Sequence, residues 1–103
     1  MSAETSGPSF RIRHATVDDL PEVMVIELAS FTEPWSEQAY RDSLDSARAV
    51  MHVAVDHAGR VVGHAVTYFA ADEAELATIA VADAARRRGI GRALLDHAFA
   101  ECR

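Results

Sequence analysis

The amino-acid sequence predicts one α/β domain, α+β in some classification schemes, built on a mainly antiparallel sheet flanked by helices. Four segments have the apolar patterning of β-strands and three have helical spacing, in the chain order β-α-α-β-β-β-α. A length of 103 residues with 50% hydrophobic residues fits a single globular domain. No repeat or linker divides the sequence, so a second domain is not expected.

The first strand and the first helix are adjacent in the sequence. Residues 10–15 alternate in polarity and predict a short strand, one side of which is formed by Phe10, Ile12 and His14. Residues 16–19 resemble a capping box, and Pro21 is tolerated in a first helical turn. Residues 18–31 therefore form the first predicted helix, with an apolar face made by Leu20, Met24, Leu28 and Phe31.

Pro34 interrupts this pattern and separates the first helix from a second. Ser36 is a good N-cap, so the second helix is predicted over residues 37–46. Trp35 and Tyr40 then occupy the two positions of a hydrophobic staple. The Trp35 ring has two interpretations, a packing staple or an aromatic wall for a bound substrate, and one ring can serve both.

Three strands follow. Residues 49–56 and 61–69 are joined by a short connection containing Gly59, which predicts a hairpin, and residues 75–81 form the fourth strand. Gly63 lies inside the third strand, where glycine marks either a bulge or a close backbone approach.

The last predicted helix follows the fourth strand and continues towards the end of the chain. Its segment is rich in alanine and contains no proline. One helical stripe collects its apolar side chains, which are Ile90, Leu94, Leu95, Ala98 and Cys102.

The seven residues 86–92, between the fourth strand and this helix, have the composition of an anion-binding loop. All ten basic residues of the chain are arginines, and four fall in this window together with two glycines: Arg86, Arg87, Arg88 and Arg92. Glycines allow close backbone approach, the first helical turn offers free N–H groups, and arginine binds phosphate in a bidentate manner. A merely solvated basic loop is the alternative.

Two common phosphate loops are excluded. A Walker loop requires a lysine, and the chain has none. A dinucleotide fingerprint requires a third glycine or alanine at the position held by Leu94, and it follows the first strand of its fold rather than the fourth.

Composition limits the partners and the compartment. With 16 acidic residues and a net charge of −6, the chain is a poor candidate for general nucleic-acid binding. No apolar run reaches the ~20 residues of a membrane span, and no signal peptide is recognised, so neither nucleic acid nor membrane is an expected partner. A single cysteine fits a reducing compartment, and a cytoplasmic location is expected.

Histidine and cysteine give no sign of a metal site or a nucleophile. The five histidines are scattered without zinc-like spacing, and no metal is expected. His52 and His64 are expected on strand surfaces. Cys102 is interpreted as a packed core residue and Ser36 as a helix cap rather than a nucleophile.

The pattern Arg86-x-x-Gly89-x-Gly91 between a strand and a helix resembles the cofactor motif of the GNAT superfamily of acetyl-CoA-dependent N-acetyltransferases. Together with Pro34-Trp35-Ser36, the sequence looks like the RimI branch, whose members acetylate the N-terminal amine of a ribosomal protein. The resemblance implies acetyl-CoA as co-substrate, with Ile79, Ala80 and Val81 along its pantetheine arm. It also implies that a loop of seven residues binds the cofactor: Arg86, Arg87, Arg88, Gly89, Ile90, Gly91 and Arg92.

The sequence departs from this branch at its C-terminal end. RimI-like enzymes carry a general-base glutamate on the strand after the third helix and a general-acid tyrosine on the next helix. The chain stops at Arg103, so residues 10–103 are expected to be an incomplete domain without those elements, after a flexible segment at 1–9. Some family members place the base on the fourth strand, which makes Glu75 a candidate; a solvent-facing carboxylate is the alternative.

The expected function is acetyl transfer from acetyl-CoA to the N-terminal amine of a protein, with Pro34 and Trp35 at the acceptor. Two alternatives remain open, a CoA-binding or interaction fragment without turnover and a small-amine acetyltransferase on the same scaffold. A dimer through the exposed edge of the fourth strand is expected.

Overall fold

The structure, a computed structural model, describes residues 10–101 and follows the predicted order of elements. In chain order these are β1 (Phe10–His14), α1 (Leu20–Ser30), α2 (Glu37–Asp45), β2 (Ala49–Asp56), β3 (Val61–Ala70), β4 (Glu73–Val81) and α3 (Ile90–Glu101). The predicted strand and helix ends lie within about two residues of these bounds. The predicted flexible segment 1–9 and the predicted core position of Cys102 lie outside the described residues.

The four strands form one antiparallel sheet in the order β1-β2-β3-β4. The hairpin between β2 and β3 is confirmed, because the Asp56 N–H donates to the Arg60 carbonyl over 3.0 Å and Gly59 has a φ of +84°. The mainly antiparallel sheet is therefore confirmed, and it arises from short connections between consecutive strands.

Helices cover both faces of the sheet. On one face, α3 places Ile90 and Leu94 against Ala54 and Ala65. On the other face, α1 and α2 form the larger core cluster, whose buried members include Leu20, Val23, Tyr40, Val53 and Val66. Successive residues of each strand point to opposite faces, so the two cores are lined by alternate positions. None of the helices in residues 10–101 has the length and apolar content needed to cross a membrane.

The buried face of α1 differs from the prediction. The helix buries Leu20, Val23, Ile26 and Glu27, whereas Leu28 is 63% exposed and Phe31 lies outside the core. The helix is apolar at most of its positions, so spacing alone could not select the face that packs on the sheet. The buried carboxylate of Glu27 also opposes the hydrophobic pattern and depends on partners from other elements.

Gly63 combines both roles that its position suggested. Ala54 pairs with Gly63 and Val55 pairs with Val61, so Val62 is an extra residue in β3 and forms a bulge. The first turn of α3 also packs directly over Gly63. The bulge and the missing side chain together set the position of α3, and with it the loop that precedes this helix.

Candidate functional site

The loop between β4 and α3 has a constrained backbone. A single 3-10 turn, Asp83–Ala85, is followed by Arg87 with a φ of +69° and Gly89 with a φ of +80°. The left-handed region costs an L-residue such as arginine about 1–2 kcal/mol. Strain of this kind is concentrated at ligand-binding sites, where the rest of the fold maintains it.

The first turn of α3 offers backbone donors next to this loop. The helix ladder begins with the Ala93 N–H, which donates to the Gly89 carbonyl over 3.0 Å. The N–H groups of Ile90, Gly91 and Arg92 precede that bond and have no acceptor within the helix. Buried Ile90, 2% exposed, anchors the turn to the sheet. The site therefore combines oriented N–H groups with the positive end of a helix dipole.

The predicted cofactor-binding arginines fall into two groups. Arg86 interacts with its own surroundings, because its guanidinium donates to the Val81 carbonyl over 3.3 Å and pairs with Asp83 over 3.2 Å. Arg87, Arg88 and Arg92 are exposed and form no ion pair within residues 10–101. These three guanidinium groups are available to an anionic ligand, whereas Arg86 helps to fix the loop.

The outer edge of β4 leads towards the loop. In the described part of the chain, β4 pairs with β3 alone. Thr78 pairs with Val66 and Leu76 with Thr67, so Ala77 is an extra residue that forms a bulge in β4. Ile79 and Val81 pack with the core cluster under α3, whereas Ala80 packs with the cluster under α1 and α2. The three predicted pantetheine-contacting residues therefore lie between this bulge and the arginine loop.

Glu75 lies at the opposite end of β4 from the loop. It is exposed and pairs across the ladder with Tyr68 of β3. Val81 lies six positions further along the strand, which corresponds to about 20 Å. The catalytic role assigned to Glu75 by resemblance stays a prediction.

A shallow groove beside this end of β4 contains aromatic and acidic side chains. It has a volume of about 350 Å³ and is lined by Trp35, Ala39, Asp42 and Tyr68. The Tyr68 hydroxyl lies 3.1 Å from the Ser43 Oγ, which fixes its ring against α2. Sequence reasoning did not single out Tyr68 or Asp42. The sequence could have indicated Tyr68 through its spacing, because residues 64, 66 and 68 of a strand lie on the same face.

A buried polar network holds Trp35 in this groove. The backbone N–H of Trp35 donates to Glu27 Oε2 over 2.8 Å, and the Tyr40 hydroxyl donates to Glu27 Oε1. His64 Nε2 lies 3.0 Å from both Glu27 Oε1 and the Tyr40 hydroxyl. The Trp35 and Tyr40 ring centroids are 5.1 Å apart, so the staple contact is present. The same Trp35 lines the groove, where its role as an acceptor wall stays a prediction.

Burial controls the protonation of this network. Loss of solvation, reinforced by the hydrogen bond to Glu27, raises the pKa of Tyr40 far above its usual value, so the hydroxyl keeps its proton. Burial lowers the pKa of His64 despite the neighbouring Glu27. The expectation that His64 lies on a strand surface is wrong: the side chain is fully buried, and it is accommodated because Glu27 and Tyr40 satisfy its Nε2.

The expectation that His52 lies on a strand surface is also wrong; this residue lies on the other face of the sheet from His64. It is 3% exposed rather than on a strand surface, and burial lowers its pKa. Its Nε2 lies 3.0 Å from Glu101 Oε1, and the same carboxylate lies 2.6 Å from His14 Nε2. The histidines are therefore not all scattered, because the sheet and α3 bring two of them to one carboxylate.

A separate cleft of about 420 Å³ lies beside Arg88, between α1 and the loop. Its charged lining mixes two bases with two acids, namely Arg60, Arg88, Glu22 and Asp56. It does not include the outer edge of β4. Of the loop residues 86–92, Arg88 alone lines this cleft, so the cleft is distinct from the anion-binding turn that precedes α3.

Comparison with known proteins assigns the family. The model of the Acetyltransferase (GNAT) family matches residues 20–103. The chain belongs to the GNAT family of acetyltransferases. This match confirms the family resemblance that was inferred from the glycine and arginine loop. The observed antiparallel sheet with flanking helices agrees with it.

Three matches, one by sequence and two by structure, illustrate the similarity. A ribosomal protein bS18-alanine N-acetyltransferase of Escherichia coli K12 is 34% identical over 83 residues, covering 81% of this chain and 55% of the relative. A crystal structure of the ribosomal-protein-S18-alanine N-acetyltransferase from Escherichia coli has a TM-score of 0.80 and 32% identity, covering 90% of this chain and 59% of that one. A phosphinothricin acetyltransferase of Sinorhizobium meliloti in complex with AcCoA has a TM-score of 0.73 and 26% identity, covering 91% and 60%. The chain spans somewhat more than half the length of each GNAT relative.

Proposed function

We propose that this chain binds acetyl-CoA between the arginine loop and the outer edge of β4, and that the protein transfers the acetyl group to the N-terminal amine of a protein. The observation that carries the proposal is the loop itself, where Arg87 and Gly89 have positive φ directly before the free N–H groups of α3. The AcCoA complex of the Sinorhizobium meliloti relative supports the choice of ligand.

Different residues of the loop and of β4 contact different parts of acetyl-CoA in this proposal. Arg87, Arg88 and Arg92 neutralise the pyrophosphate, and the N–H groups of Ile90 and Gly91 donate to its oxygens. The backbone of Ile79, Ala80 and Val81 follows the pantetheine arm along β4. Backbone N–H groups of this segment, which begins two residues after the bulge at Ala77, also stabilise the negative charge that develops on the thioester oxygen.

The groove beside α2 suits a peptide N-terminus. Trp35 and Tyr68 provide flat apolar walls, and the Asp42 carboxylate attracts the ammonium group. The Escherichia coli relatives are named as N-acetyltransferases of an alanine in ribosomal protein bS18 or S18. We propose an N-terminal alanine peptide as the acceptor class. Pro34 positions Trp35 by restricting the loop between α1 and α2.

The chemistry requires a neutral amine. A base removes a proton from the ammonium group, and the neutral amine nitrogen bonds to the acetyl carbon. The carbon–sulfur bond then breaks, the nitrogen loses its second proton, and the departing thiolate takes up a proton to leave as CoA. Glu75 lies across the ladder from Tyr68 and is the proposed acceptor of that proton within residues 10–101. Following the family pattern, we assign neither the family's usual general base nor its general acid to a residue of this chain, so the chain alone should transfer acetyl slowly.

Binding and transfer are tested separately. Calorimetric titration of the 103-residue chain with acetyl-CoA should give one site, and transfer to an alanine-starting peptide should be slow compared with the Escherichia coli relative. Glu75→Gln should lower the residual rate, whereas Glu73→Gln on the same strand should not. Binding with no transfer at all favours the fragment alternative, faster acetylation of an aminoglycoside favours the small-amine alternative, and absence of binding rejects the proposal.

We also propose the self-association and location expected from the sequence. The outer edge of β4 leaves backbone groups unpaired in the described residues, and such an edge is a template for a second strand. Because acetyl-CoA is proposed to occupy the same edge, the dimer is expected in its absence. Sedimentation at several concentrations without acetyl-CoA should show a dimer, and a concentration-independent monomer under these conditions would reject it. The single cysteine supports a cytoplasmic setting, with neither nucleic acid nor membrane as a partner.

A further inference from the structure

Three metal-binding side chains meet on the α3 face of the sheet, away from the loop and the groove. His14 comes from β1, His52 from β2 and Glu101 from the last turn of α3. One ligand atom from each lies within 4.8 Å of the other two. His14 Nε2 is 2.6 Å from Glu101 Oε1 and 2.7 Å from Oε2, and His52 Nε2 is 3.0 Å from Oε1.

The backbone sets the two imidazole groups side by side. His14 and His52 are direct partners in the β1–β2 ladder, so their side chains leave the sheet on the same face. Their ring centroids are 5.0 Å apart. His52 is almost fully buried, and its Nδ1 has no hydrogen-bond partner among the described residues, so Nε2 is the nitrogen of this ring that is engaged. Two of the three ligands are therefore positioned before any ion arrives.

We propose that His14, His52 and Glu101 form a binding site for a divalent transition metal ion, best matched by Zn²⁺. Two imidazole nitrogens and one carboxylate are a ligand set that Zn²⁺ accepts at about 2.0–2.2 Å per ligand, with a fourth position for water. Tetrahedral ligands at that distance lie about 3.4 Å apart. The carboxylate of Glu101 must therefore move away from His14 Nε2, now 2.6 Å distant, by about 0.8 Å. The Glu101 side chain is 42% exposed, so it has room for this shift.

The exposure and the chemistry of the three ligands determine how a metal ion enters the site and which ion it prefers. The side chain of His14 is 63% exposed and that of Glu101 is 42% exposed, so an ion enters from solvent without opening the core. Nitrogen ligands favour Zn²⁺ over Mg²⁺ and Ca²⁺, which prefer oxygen. Bound Zn²⁺ would tie the last turn of α3 to β1 and β2, and its stabilising effect would be independent of acetyl-CoA.

The site is tested by metal binding rather than by acetyl transfer. All proteins carry Cys102→Ser, so that a free thiol contributes no affinity. Titration with Zn²⁺ should give one ion per chain and raise the melting temperature, and Co²⁺ should give the absorbance of a tetrahedral site. His14→Gln and Glu101→Gln each remove one exposed ligand and should weaken Zn²⁺ binding at least about tenfold. His57→Gln, an exposed histidine on the β2–β3 turn, should leave the affinity unchanged.

Two results would overturn the proposal of a Zn²⁺ site. Absence of Zn²⁺ binding would overturn the proposal and leave the cluster as a hydrogen-bonded link between the sheet and α3. Unchanged affinity in both ligand variants would also overturn it, since the ion would then be held elsewhere. His14 and Glu101 are exposed, so neither substitution opens a cavity, and the amide oxygen of Glu101→Gln can still accept a hydrogen bond from the Nε2 of buried His52. Circular dichroism of each variant checks the fold directly.

Discussion

Gly63 of β3 lies beneath Ile90 of α3 so closely that no side chain fits between them. A Cβ built on Gly63 would lie 3.1 Å from Ile90 Cγ2, 3.2 Å from the Ala80 carbonyl oxygen and 3.3 Å from Leu94 Cδ1. Ile90 is the first residue of α3 and belongs to the arginine loop. The distance between this helix and the sheet therefore determines where the loop presents its N–H groups.

Gly63→Ala should destabilise the protein and displace the loop. The added methyl group forces α3 away from β3, and overpacking of a tight site costs about 1–3 kcal/mol. Urea unfolding measures this loss, and acetyl-CoA titration should show weaker binding. Gly59→Asn on the β2–β3 turn is the control: its positive φ is tolerated by asparagine, no heavy atom lies within 4 Å of an added Cβ, and both properties should be nearly unchanged. Unaltered stability in Gly63→Ala would contradict the prediction.

Gly91 allows a direct test of ligand approach, because its own surroundings are open. An added Cβ would meet only Val81 Cγ2 at 3.9 Å, an ordinary contact. Gly91→Ala should therefore raise the free energy of unfolding, by up to about 1 kcal/mol from helix propensity, and retain acetyl-CoA binding. Gly91→Val should abolish binding, because its branched side chain blocks the pyrophosphate. Calorimetry on both variants decides the assignment, and equal affinities for acetyl-CoA would reject it.

Arg87 separates the contribution of charge from that of backbone shape. Asparagine accepts a φ near +69° better than most residues, so Arg87→Asn should preserve the loop while removing its guanidinium. Acetyl-CoA affinity should fall, and the deficit should be larger at low salt than at high salt because an exposed charge contact is screened. Arg48→Asn, at the Glu75 end of the sheet, should bind acetyl-CoA like the wild type. A salt-independent deficit would show that charge is not what Arg87 contributes.

The buried histidines predict loss of stability in acid. Burial lowers the pKa of His64 and of His52 below the value of 6.5 expected in the unfolded chain. Below pH 6.5 the unfolded chain therefore binds protons that the folded chain does not, so the free energy of unfolding falls as the pH falls. Urea unfolding at a series of pH values should show this slope, and His64→Gln should reduce it. His57→Gln should keep the wild-type slope; the same slope in His64→Gln would contradict the role of the buried ring.

The order of elements was predictable because its signals are local. Alternation in β1, the Pro34 break and the glycine of the β2–β3 turn each act within a few residues. The arginine loop was found for the same reason, since Arg86, Gly89 and Gly91 fall within six residues and follow a strand. The positive φ of Arg87 was not predictable, because it depends on how β4 and α3 hold the loop ends.

The two polar clusters could not be read from the sequence. Glu27 and His64 are 37 residues apart, and His14 and Glu101 are 87 residues apart. Only the sheet register and the packing of the helices bring such groups together. His52 and His64 were expected at the surface because their side chains are polar, although their neighbours on the same strand faces are apolar. Burial of each ring becomes favourable only once a carboxylate from another element is in place.

The position of Trp35 gives the protein a built-in optical reporter. Trp35 is the one tryptophan in the chain, and its ring lies 5.1 Å from that of Tyr40. Its emission therefore comes from the segment between α1 and α2 alone, beside the groove proposed for the acceptor. A peptide that occupies the groove should shift the emission maximum of Trp35 or change its fluorescence intensity. A ligand held only at the arginine loop should leave both nearly unchanged. The two binding events can thus be followed separately in the unmodified protein, without an attached dye.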